Sequence, residues 1–391
     1  MGSIFTSQYP HKTGITWAQN HSKAKKHFEN LKIFGYNLYA TAPNYNFFET
    51  ITKNIPLDNL TIYDPQMRLF DGVGELILNR LKSMKMKQPW FYYIHIMDLH
   101  LQRFTPDEFN KNDYGKTEYE RKVSSVDSWI GKILEHVNLD NTLVVITSDH
   151  GDYILDSDMR PDYIPGLQKG LRNAKKSTPK LLQPLGITGF VLLRKILTPV
   201  RKAQFEKTME PTKLRSTFKR GKDYLYDESI RVPLLFAGAG INAHQIINEQ
   251  VRHVDIFPTL FDFLGIPINM KSSDGRSLLP LLNNKHLDEV PALIESMPVL
   301  EKPVGDVIGV RTLNFKYFRS RNHPKEKVTL FDLKNDPDEL TNIAELKPDI
   351  VNKMEDIISS ERKSPDGKVI DELTEEKKQK AKKVLREMGY D

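Results

Sequence analysis

In Leu143-Val-Val-Ile-Thr-Ser-Asp-His-Gly151 a β-branched apolar run delivers Asp149 and His150 side by side at its C-terminal end. A carboxylate and an imidazole are donors that a hard cation or zinc accepts. Open α/β sheets bind their ligands at that edge of the strands. Asp149 and His150 therefore read as two candidate metal ligands. Taken alone, these residues describe equally well a buried strand followed by an Asp-His-Gly turn, so the rest of the chain must decide.

The elements around the pair form an alternating pattern. Trp90-Phe-Tyr-Tyr-Ile-His-Ile-Met97 is aromatic and β-branched and reads as a buried strand. Residues 119–137 carry Val123, Val126, Ile130, Ile133, Leu134 and Val137 at the three-and-four spacing of an amphipathic helix. Asp140-Asn141 then turns the chain into the strand that ends at Asp149. Strand, helix, strand at this spacing predicts a βαβ unit in a mostly parallel sheet. Val232-Pro-Leu-Leu-Phe-Ala237 reads as another short strand, and Val254 begins a helix stopped by Gly265. Beyond about residue 285 the texture changes. Residues 307–318 and 328–333 read as strands of a small antiparallel sheet, followed by a helix over 348–359 and a Glu/Lys-rich helix over 371–388. The predicted organisation is a main domain over 1–285 and a minor subdomain over 286–391.

Composition narrows the chemistry. The 391 residues are 39% hydrophobic and 28% charged, the balance of an ordinary globular chain. With no cysteine, a thiolate metal site, a thiol nucleophile and a disulfide framework are excluded. No run of about 18 apolar residues occurs, and Met1-Gly-Ser-Ile-Phe-Thr-Ser lacks the regions of a secretory signal, so the chain as written carries no span and no address.

The net charge of +6 is unevenly spread: residues 157–222 hold 16 Lys/Arg against 4 Asp/Glu, a surplus of 12, which leaves the remainder at −6. Inside this basic insert lies the apolar stretch Leu181-Leu-Gln-Pro-Leu-Gly-Ile-Thr-Gly-Phe-Val-Leu-Leu-Arg-Lys-Ile-Leu197. Residues 175–202 read either as an apolar helix packed on the domain with a solvated basic rim or as a peripheral membrane or lid segment. Nucleic acid is not the expected partner, because aromatic residues do not interleave with the charges as stacking platforms require.

Six segments, in order, resemble those of the sulfatases, within the alkaline phosphatase superfamily of metal-dependent hydrolases. Ser3-Ile-Phe-Thr-Ser-Gln-Tyr-Pro-His-Lys-Thr-Gly14 resembles the Ser-Leu-Leu-Thr-Gly-x-Tyr-Pro-His stretch that follows the sulfatase nucleophile. The strand into Met97-Asp-Leu-His100 and the metal strand Thr147-Ser-Asp-His-Gly151 follow. Tyr226-Asp-Glu-Ser-Ile-Arg-Val-Pro233, His253-Val-Asp-Ile-Phe-Pro-Thr-Leu260 and Phe331-Asp-Leu-Lys-Asn-Asp-Pro-Asp-Glu-Leu-Thr-Asn342 complete the set.

The resemblance implies an alkaline-phosphatase-like α/β/α sandwich with a small C-terminal α+β subdomain, acting as a sulfuric ester hydrolase. It implies Asp149 and His150 as metal ligands, Lys222 as a contact to the sulfate oxygens, and His100 as a substrate contact or leaving-group acid. The ion implied is Ca2+, or Zn2+ or Mn2+ if the ester is a phosphate, and the substrate a sulfated or phosphorylated small molecule or glycan. Two alternatives stay open: a phosphodiesterase or phosphoglycerol/phosphoethanolamine transferase on the same fold, and a non-catalytic protein that holds anionic glycan or lipid through the basic insert.

The departures are specific. Neither the sulfatase motif Cys/Ser-x-Pro-x-Arg nor the acidic pair of a preceding strand occurs in the chain, no Gly-Lys-x-His follows Gly35-Tyr36, and residues 157–220 replace a shorter loop. The expectation is a sequence incomplete at its N-terminus, whose activity alone is in doubt and whose sheet lacks a strand. An unpaired strand edge of that kind promotes association.

Overall fold

The computed structural model describes residues 1–15, 27–45, 48, 52, 55–82, 88–100, 105–152, 183–218, 225–241, 244–267, 273–296 and 307–362. Strands β1 (Asn37–Pro43), β2 (Leu60–Tyr63) and β3 (Trp90–Ile94) form a parallel sheet in the order β2-β1-β3. Ala40 pairs with Leu60, and Asn37 and Thr41 pair with Trp90 and Ile94. With neighbours on both edges, β1 is buried from Leu38 onward.

Alternation along the strands sends successive side chains to opposite layers. Phe91 and Tyr93 of β3 join Leu38 and Ala40 against helices α1 (Gly2–Thr6) and α2 (His27–Ile33), in a cluster built on Phe5, Phe28, Leu31, Phe257 and Phe261. Tyr92 and Ile94 point the other way, toward α3 (Val73–Lys82) and α4 (Glu118–Leu134). Val73, Ile77 and Leu81 lie four apart on α3 and meet Val126, Trp129 and Ile133 of α4. A capping box starts α4: the Glu120 amide donates to Thr117 Oγ1 at 3.2 Å, and the Glu120 carboxylate accepts from the Thr117 amide at 2.8 Å. The result is an α/β/α sandwich.

The strand of the Asp-His pair, β4 (Val144–Thr147), hydrogen-bonds to β5 (Leu234–Ala237), and this pair is antiparallel. Among the described residues β4 and β3 are not paired, so the strands on either side of α4 are not sheet neighbours. Helix α5 (Ile256–Phe263) supplies Phe257 and Phe261 to the first layer and ends before Gly265, whose φ of 66° closes the helix.

Strands β6 (Ala292–Glu295), β7 (Val307–Arg311), β8 (Phe315–Ser320) and β9 (Thr329–Asp332) make an antiparallel meander. Helix α6 (Pro348–Arg362) lays Met354 and Ile358 on Ile308, Val310, Tyr317 and Leu330. This sheet is joined to the rest by Lys316, fully buried and paired with Asp227 and Glu339, and by Arg311, which donates to both oxygens of Asp227 at 3.0 and 2.8 Å.

Of the basic insert, a helix at Gln183–Thr208 and a shorter one at Pro211–Phe218 are described; residues 157–182 and 371–388 lie outside the described residues. Among the described residues no helix is long and apolar enough to cross a membrane.

Candidate active site

Beyond β3 the chain continues extended to His95, whose amide donates to the Thr41 carbonyl at 2.9 Å, then turns so that the His100 amide reaches the Met97 carbonyl at 3.1 Å. Asp98 sets this turn. Its carboxylate accepts the Leu69 amide at 3.1 and 3.3 Å, and burial pushes its pKa up to about 6 although that amide opposes the shift. Asp98 thus faces inward, and His100, two residues on, is half-buried.

At the end of β4, Thr147 Oγ1 donates to the Pro233 carbonyl at 2.9 Å and Ser148 Oγ to the His150 carbonyl at 2.6 Å. The Gly151 amide donates to the Ser229 carbonyl at 2.9 Å. A Cβ at Gly151 would lie 2.0 Å from the Glu228 carbonyl oxygen, so only glycine permits this approach.

These contacts aim the Asp-His pair. His150 Nδ1 lies 2.7 Å from the Gly151 carbonyl, which can only accept, so Nδ1 carries a proton and Nε2 is the nitrogen left to take a metal ion. Nε2 stands 3.9 Å from Asp149 Oδ2. Two donors each about 2.0–2.4 Å from one cation can span that separation. Burial acts to raise the Asp149 pKa, but attraction to the His150 ring in its protonated form is the largest of the opposing effects and draws the carboxyl down to about 2, so the group is anionic. The His100 ring is 6.1 Å from the His150 ring, centroid to centroid. The structure therefore brings His100, Asp149 and His150 together; Lys222 lies outside the described residues.

Asp149 and His150 fit a metal ion as two of its ligands. Among the described residues no group of three or more His, Asp or Glu converges on one point, so the pair is not a complete ligand set.

Two further histidines border the pair. His95 Nδ1 is 3.0 Å from the Tyr93 hydroxyl, and His253 Nε2–H donates to the Ser148 carbonyl at 2.9 Å. Burial lowers both to about 4, which keeps them neutral. Each lies inside a segment quoted above, where neither stands out as a site residue. The strand alternation that sends Tyr93 inward was the available signal for His95. Asp227 and Glu228, in the quoted segment Tyr226-Asp-Glu-Ser, are occupied away from this pair: Asp227 by Arg311 and Lys316, Glu228 by Arg215 at 2.5 Å. His95, His100, Asp149, His150 and His253 all line one cleft of about 2850 Å³.

The sulfatase family model matches residues 3–266, which contain every residue of this cluster. The chain belongs to the sulfatase family, within the alkaline phosphatase superfamily. A second model, N-sulphoglucosamine sulphohydrolase, C-terminal, matches residues 218–364, spanning the meander and α6. Arylsulfatase K of Gallus gallus is 38% identical over 142 residues, 35% of this chain and 26% of that protein. The Homo sapiens arylsulfatase K is 35% identical over the same length. The chain thus aligns with about a quarter of these relatives' length. Among solved structures, the 2-O GAG sulfatase BT1596 superposes with a TM-score of 0.58 at 15% identity, covering 98% of this chain and 82% of that one. The phosphonate monoester hydrolase of Agrobacterium radiobacter gives a TM-score of 0.62 at 14% identity, covering 92% and 85%. These likenesses show the alkaline-phosphatase-like fold. Sulfatases generally depend on a divalent metal.

Proposed function

We propose that the whole protein hydrolyses sulfate esters, with Asp149 and His150 holding a divalent cation. One observation carries this reading: His150 Nδ1 is committed to the Gly151 carbonyl, so that Nε2 and the Asp149 carboxylate face the same cleft 3.9 Å apart. When bound, the cation polarises the ester oxygens. Calcium is the proposed ion, in keeping with a hard carboxylate donor and the absence of thiolates.

The chain's own residues position and discharge the substrate. His100, beside His150, contacts the bridging ester oxygen and gives it a proton as the S–O bond breaks and the alcohol leaves, while water or a nucleophile of the whole protein forms the new bond to sulfur. Lys222 contacts the non-bridging sulfate oxygens. Neutral His253 holds the end of β4 through the Ser148 carbonyl, and neutral His95 stays on the Tyr93 hydroxyl of β3.

The proposed substrate class is a sulfated glycan. A structural neighbour, Ps i-CgsB, has been solved in complex with k-i-k-neocarrahexaose, and BT1596 is a 2-O GAG sulfatase. The basic insert has the charge to hold such a polyanion.

The test is turnover of 4-nitrophenyl sulfate and 4-nitrophenyl phosphate by the whole protein. The reading predicts a preference for the sulfate that Asp149→Asn abolishes. Preferential cleavage of the phosphate ester, with the same sensitivity, would replace sulfate chemistry with phosphate chemistry at this site.

A further inference from the structure

The helix at Gln183–Thr208 reverses the order that a surface helix keeps. An ordinary surface helix turns its apolar stripe to the core and its polar face to water. Here Ile196, Pro199, Val200 and Ala203, at the spacing of one helical face, are all exposed, Ile196 by 58% and Val200 by 62%. Thr198, Arg201 and Phe205, toward the opposite face, are half-buried, with the Arg201 guanidinium 5.2 Å from the Phe205 ring. Among the described side chains of this helix none is buried and none joins a core cluster.

Positive charge borders the apolar face. The sequence of the helix holds Arg194, Lys195, Arg201, Lys202 and Lys207 against Glu206 alone. Lys202 and Lys207 are exposed, and Lys207 closes the stripe one turn after Ala203. Toward the other end, the sequence from Gln183 to Leu193 contains no charged residue.

The root of the helix is fixed beside the candidate site. After Met209-Glu210, the shorter helix at Pro211–Phe218 carries the buried Arg215, which donates to Glu228 Oε1 at 3.2 and 2.5 Å and to the Asp338 and Glu339 carbonyls at 2.9 and 3.0 Å. The next carbonyl after Glu228, that of Ser229, accepts the Gly151 amide. The insert is thereby tied to the loop that presents Asp149 and His150.

We infer that the exposed face of this helix docks on an anionic lipid surface. The helix, about 39 Å long, lies in the plane of the headgroups, with Ile196 and Val200 among the acyl chains and the lysines at the phosphates. An anionic lipid surface takes apolar side chains and cations together. A sulfated glycan would pair with the cations and leave Ile196 and Val200 in water. A second copy of the chain would set like charges against each other. The helix lies along the surface, since among the described residues no helix is long and apolar enough to cross a membrane. Through Arg215 the docked helix holds the cleft close to that surface, whichever ester the site cleaves.

The experiment is flotation of the whole protein with vesicles of equal parts phosphatidylglycerol and phosphatidylcholine, against vesicles of phosphatidylcholine alone. The protein should bind the anionic vesicles at least about tenfold more tightly than the neutral ones. Ile196→Ser/Val200→Ser, which changes only exposed side chains, should weaken that binding about tenfold and leave the urea midpoint and retention on heparin unchanged. Val200→Trp, which enlarges the same face, should bind more tightly, a gain that misfolding does not produce. Failure of the parent to float with anionic vesicles, or equal flotation of parent and both variants, would overturn the inference. Loss of heparin retention in the double serine variant would also overturn it and give this face to a sulfated glycan.

Discussion

His150 Nε2 lies 3.9 Å from Asp149 Oδ2 while its Nδ1 meets the Gly151 carbonyl at 2.7 Å. One ring nitrogen is spent on the backbone so that the other can face the carboxylate. The backbone at Gly151 is therefore part of how the pair is aimed. Gly151→Ala places a Cβ 2.0 Å from the Glu228 carbonyl oxygen, a rigid neighbour, so the loop must move. A cost of about 1–3 kcal/mol is expected in urea unfolding. Turnover by the whole protein should fall even where the variant is fully folded. Unchanged stability and turnover would mean that the loop is not held as tightly as this contact requires.

Ser7 sets two effects against each other. Its φ of 52° is left-handed, at a position where the resembling sulfatase stretch has glycine, so Ser7→Gly relieves roughly 0.5–1 kcal/mol of backbone strain. It also removes the hydroxyl that lies 2.8 Å from His27 Nε2, and an unpaired buried nitrogen costs about 1–3 kcal/mol. The second term is larger, so a net loss near 1 kcal/mol is expected. A rise in the unfolding midpoint would show that strain outweighs the hydrogen bond.

His27 also predicts a pH dependence. Burial lowers its pKa from 6.5 to about 4. The unfolded chain therefore binds a proton that the folded chain refuses between those values, and stability is lost as pH falls from about 6.5 toward 4. Up to roughly 3 kcal/mol is at stake. Urea midpoints measured across this window should slope less steeply in His27→Gln than in the parent. Parallel slopes would remove His27 as the source.

Lys316 is fully enclosed between Asp227 and Glu339. Lys316→Met leaves two carboxylates, of which Asp227 keeps Arg311 and Glu339 loses its cation. A loss of about 3–5 kcal/mol is expected, partly restored by adding Glu339→Gln. Additive losses in the double variant would contradict this coupling.

Much of this architecture was legible because periodicity reports which elements form. The stripe from Val123 to Val137 marked α4, and the β-branched run before Asp149 marked β4. Periodicity does not report which strand lies beside which. The order strand, helix, strand suggested a βαβ unit, but among the described residues β4 pairs antiparallel with β5 and not with β3. The same limit applies to side chains. Nothing in Tyr226-Asp-Glu-Ser tells that β7 and β8 bring Arg311 and Lys316 against Asp227, where burial holds its pKa up less strongly than those cations pull it down, to about 2. His95 and His253 carry no local signal of their own; their place beside Asp149 follows from where β3 ends and α5 begins.

The most direct measurement is sulfate-ester turnover by the whole protein after dialysis against a chelator, then with Ca2+, Zn2+ or Mn2+ added back. The account predicts loss of activity on chelation, recovery best with Ca2+, and no recovery in Asp149→Asn. Full activity in the chelated protein, or an Asp149→Asn variant that responds to metal like the parent, would contradict it.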